Sequence, residues 1–188
     1  AERIVRAYTG FRTAFGHRLA EYSLVRQSVD EIATARARAL AVAFELLRLW
    51  PAAEGSPDAA RFRILLSLAK PVLTRRASLL AHDAVLALGA NGVEERFSPL
   101  PRLYRDAAVM ETWEGPHNVL YAQAARDLAR LRVDVDEFAA GVTGRADDAL
   151  AGALARVVDA GGADDAMVGM PTLAGRVVDA LGDRVLQR

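Results

Sequence analysis

This sequence of 188 residues contains no cysteine, so disulfides, thiolate catalysis and cysteine-ligated metal are excluded at the outset. Lysine is almost as scarce, with one residue against 23 arginines, an imbalance that reads as genomic composition bias. Aromatics make up 6% of the chain and histidines number three. His17, His82 and His117 share no ligand spacing, so no metal site is expected. The formal net charge is zero, which removes any global field toward nucleic acid or membrane. No apolar run reaches the length of about 18 residues that a membrane span needs, and residues 1–8 lack the apolar stretch of a secretory signal. A cytoplasmic location is the default expectation. No Gly-x-Ser-x-Gly elbow is present to support a hydrolase.

What the chain does have is Ala, Leu, Val and Arg at helical spacing. Glu2 to Thr9 reads as the end of a helix begun upstream, since no capping residue precedes it. Val25, Val29, Ile32, Ala39, Val42, Leu46 and Leu49 recur at three- and four-residue steps and predict a long amphipathic helix from about Leu24 to Trp50. Pro51 to Pro57 makes a loop. A second long helix then runs to about Leu88, with Phe62, Leu66, Ala69, Leu73, Leu80 and Ala84 as its stripe and Pro71 as an internal kink or opened hydrogen bond. Two helices of this length joined by a short loop should pair antiparallel. Another helix spans about Pro116 to Arg132. Beyond Val133, acidic residues punctuate short helices near 135–140, 146–160 and 171–187, separated by Gly161-Gly162 and Gly169 to Pro171. The fold class read from this pattern is all-α: an antiparallel helical bundle over residues 1–132, with a helical extension over 133–188.

The chemistry concentrates in Pro99–Asn118, the stretch least like a helix built only for packing. It carries a Pro-x-Pro start, Arg102-Leu-Tyr-Arg-Asp106, and Trp113-Glu-Gly-Pro116. Glu114 precedes a glycine and a proline that give the turn a fixed exit direction into the next helix. Beside Val109, Met110 and Trp113, its carboxylate would stand in an apolar cleft, where the ionised form is disfavoured and general-base chemistry becomes accessible. The alternative is an acid placed at a helix N-terminus by the macrodipole. Arg12-Thr-Ala-Phe-Gly16 suits phosphate or carboxylate capture through a guanidinium fork, or is a surface arginine beside a core phenylalanine. Leu88-Gly-Ala-Asn-Gly92 either lets backbone approach a pyrophosphate or simply ends a helix.

In this order, Arg12 to Gly16, two long helices, Gly89 to Gly92, Arg102 to Asp106 and Trp113-Glu-Gly115, residues 1–132 resemble the C-terminal helical domain of flavin-dependent acyl-CoA dehydrogenases. The Trp of Trp-Glu-Gly and Asn118 are closest to the adaptive-response (AidB-like) branch. The resemblance implies α,β-dehydrogenation of an acyl-CoA thioester: Glu114 as the base that removes the α-proton, a hydride passing to flavin, and FAD as cofactor. It implies that Arg12, Phe15 and Gly89 contact FAD of a neighbouring subunit in a homo-oligomer, with an electron-transfer flavoprotein or another acceptor taking the electrons. Leu86, Ala90 and Pro116 stand where the family usually has Gln or Glu, Gly and Thr. The family's N-terminal helical and middle β-domains are absent from this chain, which is therefore expected to be part of a longer protein and inactive alone. Two other readings stand beside this one: a DNA-associated flavoprotein, and a catalytically silent helical partner. Residues 119–188 hold 8 arginines against 11 acidic residues, a net charge of −3, which speaks against nucleic-acid binding.

Overall fold

The computed structural model describes residues 1–50, 56–161, 163 and 167–187. Along the chain run α1 (Glu2–Phe11), β1 (Thr13–Ala14), β2 (His17–Arg18), α2 (Ser23–Arg48), α3 (Pro57–Ala87), α4 (Leu100–Met110), α5 (His117–Leu131), α6 (Val135–Thr143), α7 (Asp148–Asp159) and α8 (Met170–Leu186). The fold is all-α, as the periodicity predicts, apart from one two-residue-stranded hairpin. No helix among the described residues is long and apolar enough to cross a membrane. Residues 51–55 of the expected Pro51–Pro57 loop lie outside the described residues, as do Gly162, Asp164 and Asp165.

Local chemistry sets the helix boundaries. The Ser56 hydroxyl accepts the Ala59 N–H to cap α3, which then runs without a break through Pro71. Pro99 and Pro101 stand at the start of α4, where a missing N–H removes no intrahelical bond. The acids of the C-terminal third do capping work: Asp134 accepts from the Asp136 and Glu137 N–H groups at the start of α6, and Asp147 from Leu150 N–H in α7. Gly144 closes α6 in the left-handed conformation, at φ 81°.

The chain divides into two compact units, one of residues 1–37 and 74–113, the other of residues 38–73 and 114–188. The divisions fall inside α2 and α3, so each unit receives one half of each long helix. The first unit packs Val5 and Tyr8 of α1 against Val29 and Ile32 of α2, Ala84 and Val85 of α3, Leu88 and Leu100. A shared carboxylate reinforces α1 on α2, because Glu2 pairs with Arg6 at 2.7 Å and with Arg36 at 2.5 Å.

In the second unit, Val42 and Leu46 of α2 meet Phe62, Leu65, Leu68 and Val72 of α3, and α5 to α8 close the core with Leu128, Phe138, Leu154 and Leu181. In both units the start of one long helix meets the end of the other, which makes the pair antiparallel. The stripe read on α2 holds at Val29, Ile32, Val42 and Leu46. On α3 it slips: Leu66 is exposed, while Ile64, Leu65 and Leu68 are buried.

One polar clamp sits inside this second core. Glu45, 4% exposed, receives Arg184 of α8 at 2.6 Å and a two-pronged contact from Arg48. Arg184 also donates to the Gly141 carbonyl of α6. Removing one partner of such a pair strands the other charge, at a loss of several kcal/mol. Glu45→Ala is therefore expected to lower unfolding free energy by about 3 kcal/mol in a denaturant titration. Glu137→Ala, which breaks the exposed Arg61–Glu137 pair, should change it by less than about 1 kcal/mol.

Candidate functional site

In the first unit, α1 delivers Arg12 in extended conformation, its N–H donated to the Tyr8 carbonyl at 2.9 Å. The chain then turns on itself. Ala14 pairs with His17, and the two residues between them, Phe15 and Gly16, have φ of 51° and 87°. A two-residue hairpin turn of this hand requires positive φ at both central positions. Gly16 adopts it freely; Phe15 does so under strain of about 1 kcal/mol or more. Tyr22 braces the turn by donating its hydroxyl to the Ala14 carbonyl at 2.7 Å. The Phe15 ring is 96% exposed. A large aromatic held outward on strained backbone adds nothing to the core. Beside it the Arg12 guanidinium is exposed and makes no hydrogen bond or ion pair with the described residues.

The glycine-rich turn belongs to the same unit. Gly89, at φ 58°, opens a 3-10 turn over Gly89–Val93, and a Cβ placed on it would meet nothing within 4 Å. Gly92 differs: a Cβ there would fall 1.9 Å from the Val85 carbonyl oxygen. Of the two, Gly92 serves packing, and Gly89 is exposed in left-handed backbone just past the end of α3. Tyr8 links this turn to Arg12, because its hydroxyl accepts from Asn91 Nδ2 at 3.1 Å while its carbonyl holds Arg12. The structure thus brings Arg12, Phe15 and Gly89 into one unit around a buried tyrosine. An exposed guanidinium, an outward ring and bare glycine backbone fit a phosphate-bearing, planar cofactor such as FAD.

Glu114 belongs to the second unit. It too has positive φ, 66°, followed by Gly115 at 113° and by Pro116, which caps α5. A glutamate held in the left-handed region by its neighbours is the kind of strain that collects at functional sites. The setting departs from the sequence expectation. Glu114 is 75% exposed and lies at a cleft of about 170 Å³ lined by Arg63, Leu66, Ser67 and Lys70 of α3 and Leu120 and Gln123 of α5. Val109, Met110 and Trp113, expected to give it apolar walls, are themselves exposed. The Glu114 carboxylate instead accepts from Lys70 Nζ at 2.8 Å. Behind the cleft, Asp127 is buried and accepts from Arg63 Nε and Ser67 Oγ, both at 3.0 Å. Sequence reasoning did not find Lys70, Asp127 or Tyr8; the signal for Lys70 is its being the one lysine.

Comparison with known proteins follows the same lines. The sequence model of the acyl-CoA dehydrogenase C-terminal domain matches residues 1–129. AidB of Escherichia coli (strain K12) is 32% identical over 117 residues, which cover 62% of this chain and 21% of that protein. The apo form of Bd2924 superposes with a TM-score of 0.78 over 99% of this chain and 37% of its own, at 20% identity. Caenorhabditis elegans ACDH-11, solved in complex with C11-CoA, gives the same TM-score over 98% of this chain and 35% of its own, also at 20% identity. The chain spans about a fifth of AidB and about a third of either solved protein. At that identity the structural likeness speaks for the fold, and it continues through α6 to α8, past the end of the family match at residue 129.

The two glycines of the turn should separate by experiment. Gly92→Ala is expected to cost about 3 kcal/mol, because backbone must move to admit the methyl group. Gly89→Ala should cost about 1 kcal/mol, from positive φ alone. Thermal melts of both variants check the order.

Proposed function

The chain belongs to the acyl-CoA dehydrogenase C-terminal domain family, and from that premise we propose that it is the helical C-terminal part of an FAD-dependent acyl-CoA dehydrogenase. Glu114 is the residue that takes the α-proton of an acyl-CoA thioester. The observation that carries this reading is the Trp113-Glu-Gly115 turn, which holds the glutamate in left-handed backbone with its carboxylate exposed at a cleft. Residues 1–132 form the family bundle, and 133–188 a helical extension whose α6 and α7 pack with α5 and α8.

FAD, when bound, supplies the acceptor for the hydride that leaves the β-carbon. Arg12, Phe15 and Gly89 are the residues of this chain that would hold that cofactor: the Arg12 guanidinium would pair with a phosphate, the Gly89 backbone would admit a diphosphate, and Phe15 would offer an aromatic surface. All three are exposed on the first unit, and the family resemblance implies a cofactor shared with a second copy in a homo-oligomer. Glu114 orients toward the thioester and holds the abstracted proton on a carboxylate oxygen. The net charge of −3 over residues 119–188 speaks against DNA as the partner.

The test is an anaerobic titration of the flavin-loaded protein that contains this chain, using acyl-CoA thioesters of graded chain length. Flavin absorbance should bleach with at least one thioester. In Glu114→Gln the rate of bleaching should fall by about 10²- to 10⁴-fold with flavin still bound, the loss typical of a missing general base. Bleaching at an unchanged rate in that variant, or no bleaching with any of the thioesters, would overturn the assignment.

A further inference from the structure

Lys70 is the single lysine in a chain that uses arginine at 23 other cationic positions, and it is the residue that holds the Glu114 carboxylate. The two cations differ in a way that bears on a base. A guanidinium grips a carboxylate with a rigid two-pronged fork, whereas an ammonium is one compact charge on a flexible stem. Elsewhere in the same unit the fork is used, as in the double contact of Arg48 with Glu45. At Glu114 it is not.

The other cation of the cleft is already engaged. Arg63 donates to Asp127, which also takes Ser67 and, at 3.5 Å, Arg130. Asp127 thus keeps Arg63 on the α5 side, and the contact to Glu114 comes from Lys70. That contact is weak by position. Lys70 is 21% exposed and Glu114 75%, and pairs this open to solvent are worth at most about fivefold in population. The contact engages Oε2; for that oxygen to accept a carbon-bound proton it must leave the ammonium, and here leaving is easy.

We propose that Lys70 is a positioning residue that holds Glu114 in a releasable ion pair at the α3–α5 cleft and lets it go when an acyl-CoA thioester arrives. The inference rests on Glu114 being the base. It explains why the position takes lysine: an arginine would hold the carboxylate too well, and an uncharged residue would not hold it.

Two measurements test this, and the first is independent of catalysis. With one lysine in the chain, ¹⁵N-lysine labelling gives one side-chain ammonium signal. That signal should shift in Glu114→Gln and stay in place in Glu137→Gln, whose native partner is Arg61. The second is the reduction of the flavin-loaded protein by its thioester. Lys70→Arg should slow flavin reduction by about tenfold, equivalent to about 1.4 kcal/mol, with thioester affinity unchanged. Lys70→Met should speed it by up to about fivefold, the population released from the pair.

Opposite effects of the two variants are the signature of a clamp, because a purely structural lysine would give losses in both. An ammonium signal that ignores Glu114→Gln removes the ion pair and overturns the proposal. A signal that responds, with both Lys70 variants moving the rate in the same direction, overturns the clamp while leaving Glu114 as base. Flavin reduction that survives in Glu114→Gln overturns the base assignment instead, and the clamp falls with it.

Discussion

Burial along α2 and α3 is the constraint on which the other placements depend. Each helix gives one half to each compact unit, and every candidate residue is set by something that packs on those halves. Val5 and Tyr8 seat α1 on Val29, Ile32 and Ala84, and α1 in turn aims Arg12 and the hairpin that carries Phe15. The Gly89 turn follows directly from the end of α3, held by Asn91 on the same Tyr8. Lys70, one residue before the buried Pro71, brings α3 to Glu114. Apolar burial of this kind, at about 25 cal/mol per Å², fixes elements without directing side chains. The directing is left to a few hydrogen bonds and to the strained backbone at Phe15 and Glu114.

Much of the architecture was legible because its boundaries are written in proline, glycine and capping acids. The ends read for α5, α7 and α8 fall within two residues of those observed. The α2 stripe was readable because Val29, Ile32, Val42 and Leu46 keep helical spacing. The α3 stripe holds at Phe62, Ala69 and Ala84 and fails at Leu66, which lies beside the polar face marked by Arg63, Ser67 and Lys70. In the structure Leu66 turns out toward the Glu114 cleft and Ile64 turns in. The hairpin at 13–18 escaped for a different reason: two residues per strand leave no alternation to detect. The acids beyond Val133 were visible, but their capping work becomes plain only once the helix starts are located.

At the candidate site, sequence order pointed to Glu114 and misjudged its surroundings. The apolar cleft expected from Val109, Met110 and Trp113 follows from treating chain neighbours as spatial neighbours. In a turn where Glu114 and Gly115 both have positive φ, that assumption fails. The side chain meets Lys70, 44 positions earlier, and that partner is charged. Lys70 was hidden by a sound general argument. An arginine excess of 23 to 1 does reflect composition, and it is that background which makes the one exception informative.

The two acid–base contacts of the second unit show how placement decides what an ion pair is for. Glu45 and Arg184 are both largely withdrawn from water, and Arg48 and the Gly141 carbonyl complete their bonding. Separating them would leave a charge in a dry core, so the contact fixes α2, α6 and α8 in one arrangement. Lys70 and Glu114 meet at almost the same distance, yet water reaches the carboxylate from most directions. Such a contact gives little stability and is easily exchanged. A base needs that second property: held in place while waiting, and free to turn once its substrate is there. The same ion-pair chemistry serves as a fastening at Glu45 and, in the role proposed for Glu114, would serve as a catch, and the difference is set by how much water each carboxylate can see.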